Sequence, residues 1–141
     1  MKIIRNSIFV TMLLFSCLVI SAFTQGNGGA GRYYNPNTET TVKGTVEKVT
    51  EITGRWNWKG IHLSLRTDDQ RYNVRVGPSY YLSANGFTLS VGDQIEVTGS
   101  KIKFGGAEAI VAREIKKDGK VLTLRNRQGI PNWSRARRQS Y

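Results

Sequence analysis

The stretch Gly60–Val76, Gly-Ile-His-Leu-Ser-Leu-Arg-Thr-Asp-Asp-Gln-Arg-Tyr-Asn-Val-Arg-Val, constrains this chain more than any other. Two runs of strict apolar/polar alternation flank Asp68-Asp69, and a two-residue polar gap between such runs is the signature of a β-hairpin. With the aspartates at the turn, Thr67 faces Gln70, and the two-residue period of a strand then sets every pairing beyond it. One face becomes Ile61/Val76, Leu63/Val74 and Leu65/Tyr72. The other becomes His62/Arg75, Ser64/Asn73 and Arg66/Arg71, so the register that builds a core wall also builds a basic outer wall.

Other segments fit behind that hairpin. Thr40–Val49 alternates with Val42, Gly44 and Val46 on one face, and the glycine inside it predicts a bend or a close backbone approach. Gly54-Arg55-Trp56-Asn57-Trp58-Lys59-Gly60 is a loop carrying two tryptophans between two cations. After the hairpin, Pro78 at a first helical position and Asn85-Gly86 at a stop predict one short helix. Val91–Gly99 supplies a turn and a strand, and Ser100–Phe104 continues it past a bulge, because Ile102 and Phe104 change phase relative to Ile95 and Val97. Ala107–Lys116 and Val121–Arg125 form a last ribbon around Asp118-Gly119, a strong hairpin turn.

These elements together resemble an OB-fold, the all-β, five-stranded barrel with one short helix between strands 3 and 4, here with a C-terminal β-ribbon added. The pattern Val42-Lys43-Gly44-Thr45-Val46, the hairpin, the helix and Gly92-Asp93-x-Ile95-x-Val97-x-Gly99 carry the resemblance over residues 38–116. Gly77-Pro78-Ser79-Tyr80-Tyr81-Leu82, Val97-Thr98-Gly99-Ser100-Lys101 and Leu122-Thr123-Leu124-Arg125-Asn126-x-x-Gly129-Ile130-Pro131-x-Trp133 are similar to small secreted bacterial proteins, some of them labelled DNA-binding. The last of these segments also resembles part of a domain of magnetosome MamS/MamX-type proteins.

Four parts are expected: a leader over residues 1–24, a glycine-rich linker over 25–37, the barrel over 38–126 and a basic tail over 127–141. Lys2 and Arg5 followed by the apolar run Ile8–Ile20 have the layout of a secretory signal, cut after Thr24 or, second, after Ala22. The mature chain is then periplasmic or extracellular, with no stable membrane span once the leader is removed. The only cysteine, Cys17, lies in the leader, so the mature chain has neither thiol chemistry nor a disulfide.

Charge points to a partner class. The chain carries 21 Lys and Arg against 10 Asp and Glu; without Lys2 and Arg5 the difference is 19 − 10 = +9. Arg125, Arg127, Arg135, Arg137 and Arg138 fall in the last 17 residues, which contain no acid. A basic surface attracts nucleic acid and other polyanions without distinguishing them, and solubility with a solvated tail is the alternative.

OB barrels bind oligonucleotides or oligosaccharides across the strand 2–3 face and the loops beside it. The resemblance therefore implies a ligand surface of Arg55, Trp56, Trp58, Lys59, His62, Arg66, Arg71, Asn73 and Arg75, with Ser64 and the Phe104-Gly105-Gly106 loop adjoining. Aromatic rings that stack bases among cations that follow a phosphate backbone suit a single strand. Against that, Trp56 or Trp58 could fold back over a barrel mouth, and Asp68 and Asp69 could neutralise Arg66 and Arg71. Tyr80 and Tyr81 read as helix packing, and Trp133 as a pin holding the tail to the barrel. One histidine, no mature cysteine and no paired-carboxylate motif predict a non-enzyme without metal or cofactor. Two functions stay open: a nucleic acid or polyanion binder, and an envelope accessory domain that docks on another protein through Trp56 and Trp58.

Overall fold

The computed structural model describes residues 33–104 and 106–136. The expected leader and the first part of the linker, residues 25–32, lie outside the described residues, as does the end of the tail from residue 137. The elements are β1 (Glu39–Thr53), β2 (Lys59–Arg66), β3 (Arg71–Pro78), α1 (Ser79–Ala84), β4 (Gln94–Phe104), β5 (Ala107–Lys117), β6 (Lys120–Thr123) and α2 (Trp133–Ala136). The sheet runs β3-β2-β1-β4-β5-β6, and β3 also pairs with β5 in parallel over Asn73–Arg75 and Ala109–Val111. That one parallel seam joins the two ends of a five-strand ribbon into a barrel. β6 stays outside it, as the second arm of a hairpin whose turn residues Asp118 and Gly119 both have positive φ.

Closure depends on β1 serving two neighbours. Glu39–Thr45 pairs with β4, while Thr45–Thr53 pairs with β2 across a bulge between Val46 and Lys48. Gly44 stands at the changeover, where a Cβ would collide with the carbonyl of Arg66, so the close approach expected from an interior glycine is present.

The hairpin has the expected register from Arg66/Arg71 back to His62/Arg75, and Thr67 N–H donates to the Gln70 carbonyl at 2.9 Å. Ile61, however, faces Gly77 rather than Val76, because the ladder slips by one residue between Ile61 and His62. The slipped strand end lies against Trp133. The ring of Trp133 lies where a Cβ on residue 77 would come within 2.8 Å of it, so only glycine lets this strand end pass beneath the indole. Both Ile61 and Val76 still point inward. Ile61, Leu63, Leu65, Tyr72, Val74, Val76, Ile95 and Val97 are all buried in one core, joined by Ile110, Ile115 and Leu124.

A bulge does interrupt this strand pair, between Thr98 and Gly99, but its extra residue lies on β5 and not on β4, where the alternation of Ile95, Val97, Ile102 and Phe104 placed it. Thr98 faces Glu114 and Gly99 faces Ala112, leaving Arg113 of β5 unpaired in the ladder. A bulge re-aims its side chain, and Arg113 uses the freedom to grip Glu39 with Nε at 2.9 Å and Nη2 at 2.8 Å. Tyr34 donates its hydroxyl to the same carboxylate. Burial first, and Glu39 second, push the Tyr34 phenol up to about 12.

These contacts carry a pH dependence. The Arg113 hydrogen bonds hold Glu39 below its ordinary 4.5, and Lys117 does the same for Asp93 below 3.8. A carboxylate whose folded pKa is depressed stabilises the fold above its unfolded pKa and loses that contribution as pH falls through the folded one. Stability is therefore expected to be level down to about pH 5 and to decline below 4.5, the ordinary value for Glu39. Glu39→Gln should flatten that decline in urea midpoints measured across the acid range.

The described residues on either side of the barrel are built into it. Tyr34 is buried and packs where any side chain on residue 129 would sit, and Asn35 N–H donates to Ser100 Oγ at 2.9 Å. At the other end Arg125 bridges to Pro131, Asn132 N–H donates to the Leu124 carbonyl at 3.0 Å, and Trp133 is buried. The first part of the segment expected as a tail, from residue 127, is thus folded on the barrel, with Trp133 as its pin. Pro78 caps α1 at φ −67° rather than occupying its first turn, and Asn85 with Gly86 ends it as expected.

Candidate functional site

The loop between β1 and β2 is shaped by two consecutive residues in the left-handed region, Trp56 at φ 61° and Asn57 at φ 57°. That region costs a residue with a Cβ roughly 1–2 kcal/mol, and asparagine tolerates it better than tryptophan. Gly54 N–H donates to the Trp58 carbonyl at 2.6 Å and closes the loop on itself. The two indoles part company as a result. Trp58 folds back over Gly54 and Gly60, the second of which lacks the Cβ that its ring would strike, and keeps 36% of its surface exposed. Trp56 points outward and is 97% exposed.

Beside this loop lies a cleft of about 970 Å³, within the size of small-ligand pockets. Arg55, Trp56, Trp58 and Lys59 form its loop side, and Ile61, His62, Arg75 and Val76 its sheet side; α1 adds Ser79 and Tyr80. Tyr33 arrives from the lead-in, and Arg125, Trp133 and Ser134 from the C-terminal segment. A second depression of about 370 Å³ runs over the outer sheet face past Lys48, Ser64, Arg71, Asn73 and Glu108. His62 lines both, so the two adjoin along β2 and β3.

Six of the nine residues expected at a ligand surface therefore meet in the main cleft: Arg55, Trp56, Trp58, Lys59, His62 and Arg75. Arg71 and Asn73 line the second depression, and Arg66 lines neither. The charge pairing differs from expectation. Glu47, carried by the bulge in β1, takes Arg71 at 2.7 Å and Arg66 at 3.3 Å, so the carboxylate between the two arginines comes from the neighbouring strand and not from Asp68 or Asp69. The Arg71 hydrogen bond, foremost, holds the Glu47 carboxyl below its usual range. Lys59 pairs with Glu51 at 2.9 Å, with both groups half in water. Exposed pairs of this kind contribute little to stability and yield readily to another anion. Arg75 stacks over the Tyr33 ring at 5.5 Å. Burial, and secondly Arg75, lower the pKa of His62, which leaves it neutral at pH 7, a hydrogen-bonding group rather than a cation.

Tyr80, Tyr33, Arg125 and Trp133 are cleft residues that the sequence patterns do not place there. Tyr80 is 49% exposed and lines the cleft, whereas its neighbour Tyr81 does pack, 5.6 Å from Trp133. Arg125, counted with the basic tail, is 6% exposed. Its Nη1 donates to the Val76 carbonyl at 3.0 Å and to that of Ala112, its guanidinium lies 4.8 Å from the Trp133 ring centroid, and its Nε is buried without an acceptor. Burial lowers its pKa to about 10, so it stays charged at neutral pH. Nothing in the spacing around Leu124-Arg125-Asn126 announces a buried cation; only the path of the segment over the barrel end creates one.

Among the described residues no helix is long and apolar enough to cross a membrane, and no cluster of three His, Cys, Asp or Glu is placed to hold a metal ion.

A barrel closed by a parallel β3–β5 seam, with β1 shared between both halves and a helix between the third and fourth strands, is an OB-fold. Beside the β1–β2 loop it carries an aromatic and cationic cleft. The chain belongs to the MamS/MamX magnetosome protein family, whose model matches residues 38–122. That match is the barrel itself with most of β6, and it stops short of most of the ending that carries the resemblance in sequence.

Among solved structures, the chain is similar to the N-terminal domain of PriB from Thermoanaerobacter tencongensis, with a TM-score of 0.47 and 15% identity over 60% of this chain and 99% of that one. It is also similar to Rim1, a mitochondrial single-stranded DNA binding protein of S. cerevisiae. One Rim1 structure matches with a TM-score of 0.45 and 15% identity over 64% of this chain and 96% of that one. Another matches with a TM-score of 0.44 and 22% identity over 59% and 97%. No curated protein matches the chain.

Proposed function

We propose that this protein is an exported, non-catalytic OB-fold module that binds a polyanion, with single-stranded nucleic acid first among the candidates. The observation that carries the reading is the meeting of Trp56, Trp58 and Tyr80 with Arg55, Lys59 and Arg75 around one open cleft. Flat rings can stack bases while the cations follow a phosphate chain, and the adjoining depression with Arg71 and Asn73 extends the path across β2 and β3. Export is supported by Lys2, Arg5 and the Ile8–Ile20 run.

The test is binding of the mature protein to single-stranded DNA, duplex DNA and heparin over a salt series. For a single strand the logarithm of affinity is expected to fall linearly with the logarithm of salt, with a slope of about −0.7 per phosphate contact. Charge reversal at Arg66 and Arg71 should lower that slope, because both then repel the phosphates that would otherwise displace Glu47. A variant lacking residues 137–141 is the control, since arginines in that stretch could imitate the effect by themselves. If removing it abolishes binding and the Arg66/Arg71 variant binds as before, the sheet face is not the site.

A second reading, docking on an envelope protein, rests on Trp56 alone. An indole 97% exposed on a left-handed backbone position is an anchor in search of a pocket.

A further inference from the structure

Arg125 spends one nitrogen on the fold and leaves two over. The parallel β3–β5 ladder ends at Arg75 and Val111, and Nη1 donates to the next carbonyl of each strand, Val76 and Ala112. One nitrogen thereby holds the barrel's seam at the point where the strands part. The rest of the guanidinium is not needed for that. Nε is buried with no acceptor, Nη2 donates to no described group, and no carboxylate among the described residues pairs with this cation. Buried polar groups are almost always satisfied, by protein or by what the protein binds. A buried cation without a counter-charge is costlier still than an orphaned amide.

The side chain also lines the cleft, with the Trp133 ring against it. We propose that Arg125 is an oxyanion subsite in the cleft, receiving one phosphate or carboxylate group of the ligand that lies along Trp56 and Trp58. The planar guanidinium offers paired donors that match such a group in a way that a lysine ammonium does not. A single group held among Arg125, Arg75 and the loop cations would fix where the ligand enters and how it is oriented. This inference rests on the reading of the cleft as the ligand site.

The test is direct in the unaltered mature chain. The Arg125 Nε–Hε resonance is followed by NMR while inorganic phosphate, acetate or sodium chloride is added at matched ionic strength. A saturable shift with phosphate but not chloride is expected. A similar shift with acetate would widen the ligand to carboxylates, and a shift with acetate alone would make it a carboxylate site. An Arg125 signal that ignores both, or follows chloride equally, overturns the proposal. Arg125→Lys keeps the charge and loses the fork, and should weaken phosphate binding on the order of ten-fold; should that variant fail to fold, the resonance in the unaltered protein still decides. Adding an oligothymidylate separates the two readings. If the oligonucleotide does not bind while phosphate still moves Arg125, the subsite stands and the nucleic-acid function falls. If it binds and Arg125 moves with neither, the subsite falls and the function stands.

Discussion

Leu63→Ala is expected to lower the stability of the barrel by about 2–5 kcal/mol, the range for truncating a large aliphatic side chain inside a packed core. Leu63 is 1% exposed and faces Val49 on β1 and Val74 on β3. It therefore sits in the middle of the curved three-strand wall, where the neighbouring backbones are tied into ladders on both sides and cannot collapse into the space vacated. Domains of this kind have only about 5–15 kcal/mol in hand, so the loss is a large share of the whole. Urea unfolding should show the midpoint fall with the slope unchanged. Ser64→Ala, one residue on and on the outer face, should stay within about 0.5 kcal/mol of the parent. Equal losses at the two positions would mean that the wall is not oriented as described.

The contrast between those neighbours is legible in the amino-acid sequence alone, because a strand's period of two assigns faces as soon as a turn is fixed. What that logic cannot reach is anything decided by a distant partner. Ile61 and Val76 fit the alternation, yet the ladder slips there, and Gly77 at the slipped end lies under Trp133, which arrives from the far end of the chain. Arg66 and Arg71 do face each other as the alternation requires, but their carboxylate is not a sequence neighbour such as Asp68 or Asp69; Glu47 reaches them through the bulge in β1. The alternation along β4 points to a bulge in that strand, but the residue left out of the ladder is Arg113 on the opposite one. The cleft shows the same division. Its loop side is readable from Arg55-Trp56-Asn57-Trp58-Lys59, but Tyr33, Tyr80 and Arg125 enter through the packing of the lead-in, the short helix and the ending, none of which has a periodicity that points at a ligand.

Trp56→Ala is expected to weaken binding to a single-stranded oligonucleotide by about 1–3 kcal/mol, the usual worth of one stacked base, and to leave the salt slope unchanged because stacking releases no counterions. The two tryptophans are not equivalent probes. Trp58 covers Gly54 and Gly60, so its removal opens the base of the loop and will lower stability along with affinity. Trp56 is 97% exposed and holds a left-handed conformation that gains nothing from a large side chain, so its truncation should leave the unfolding midpoint where it was. Any loss of affinity then belongs to contact with the ligand. Arg55, exposed beside it and making no ion pair among the described residues, supplies the complementary case: Arg55→Gln should reduce the slope by about 0.7 while costing less affinity at high salt than at low. If Trp56→Ala binds the oligonucleotide as tightly as the parent at every salt concentration, no base stacks there. The exposed indole is then better explained as an anchor for a protein partner, whose pocket would have to repay the solvent exposure that the left-handed loop maintains.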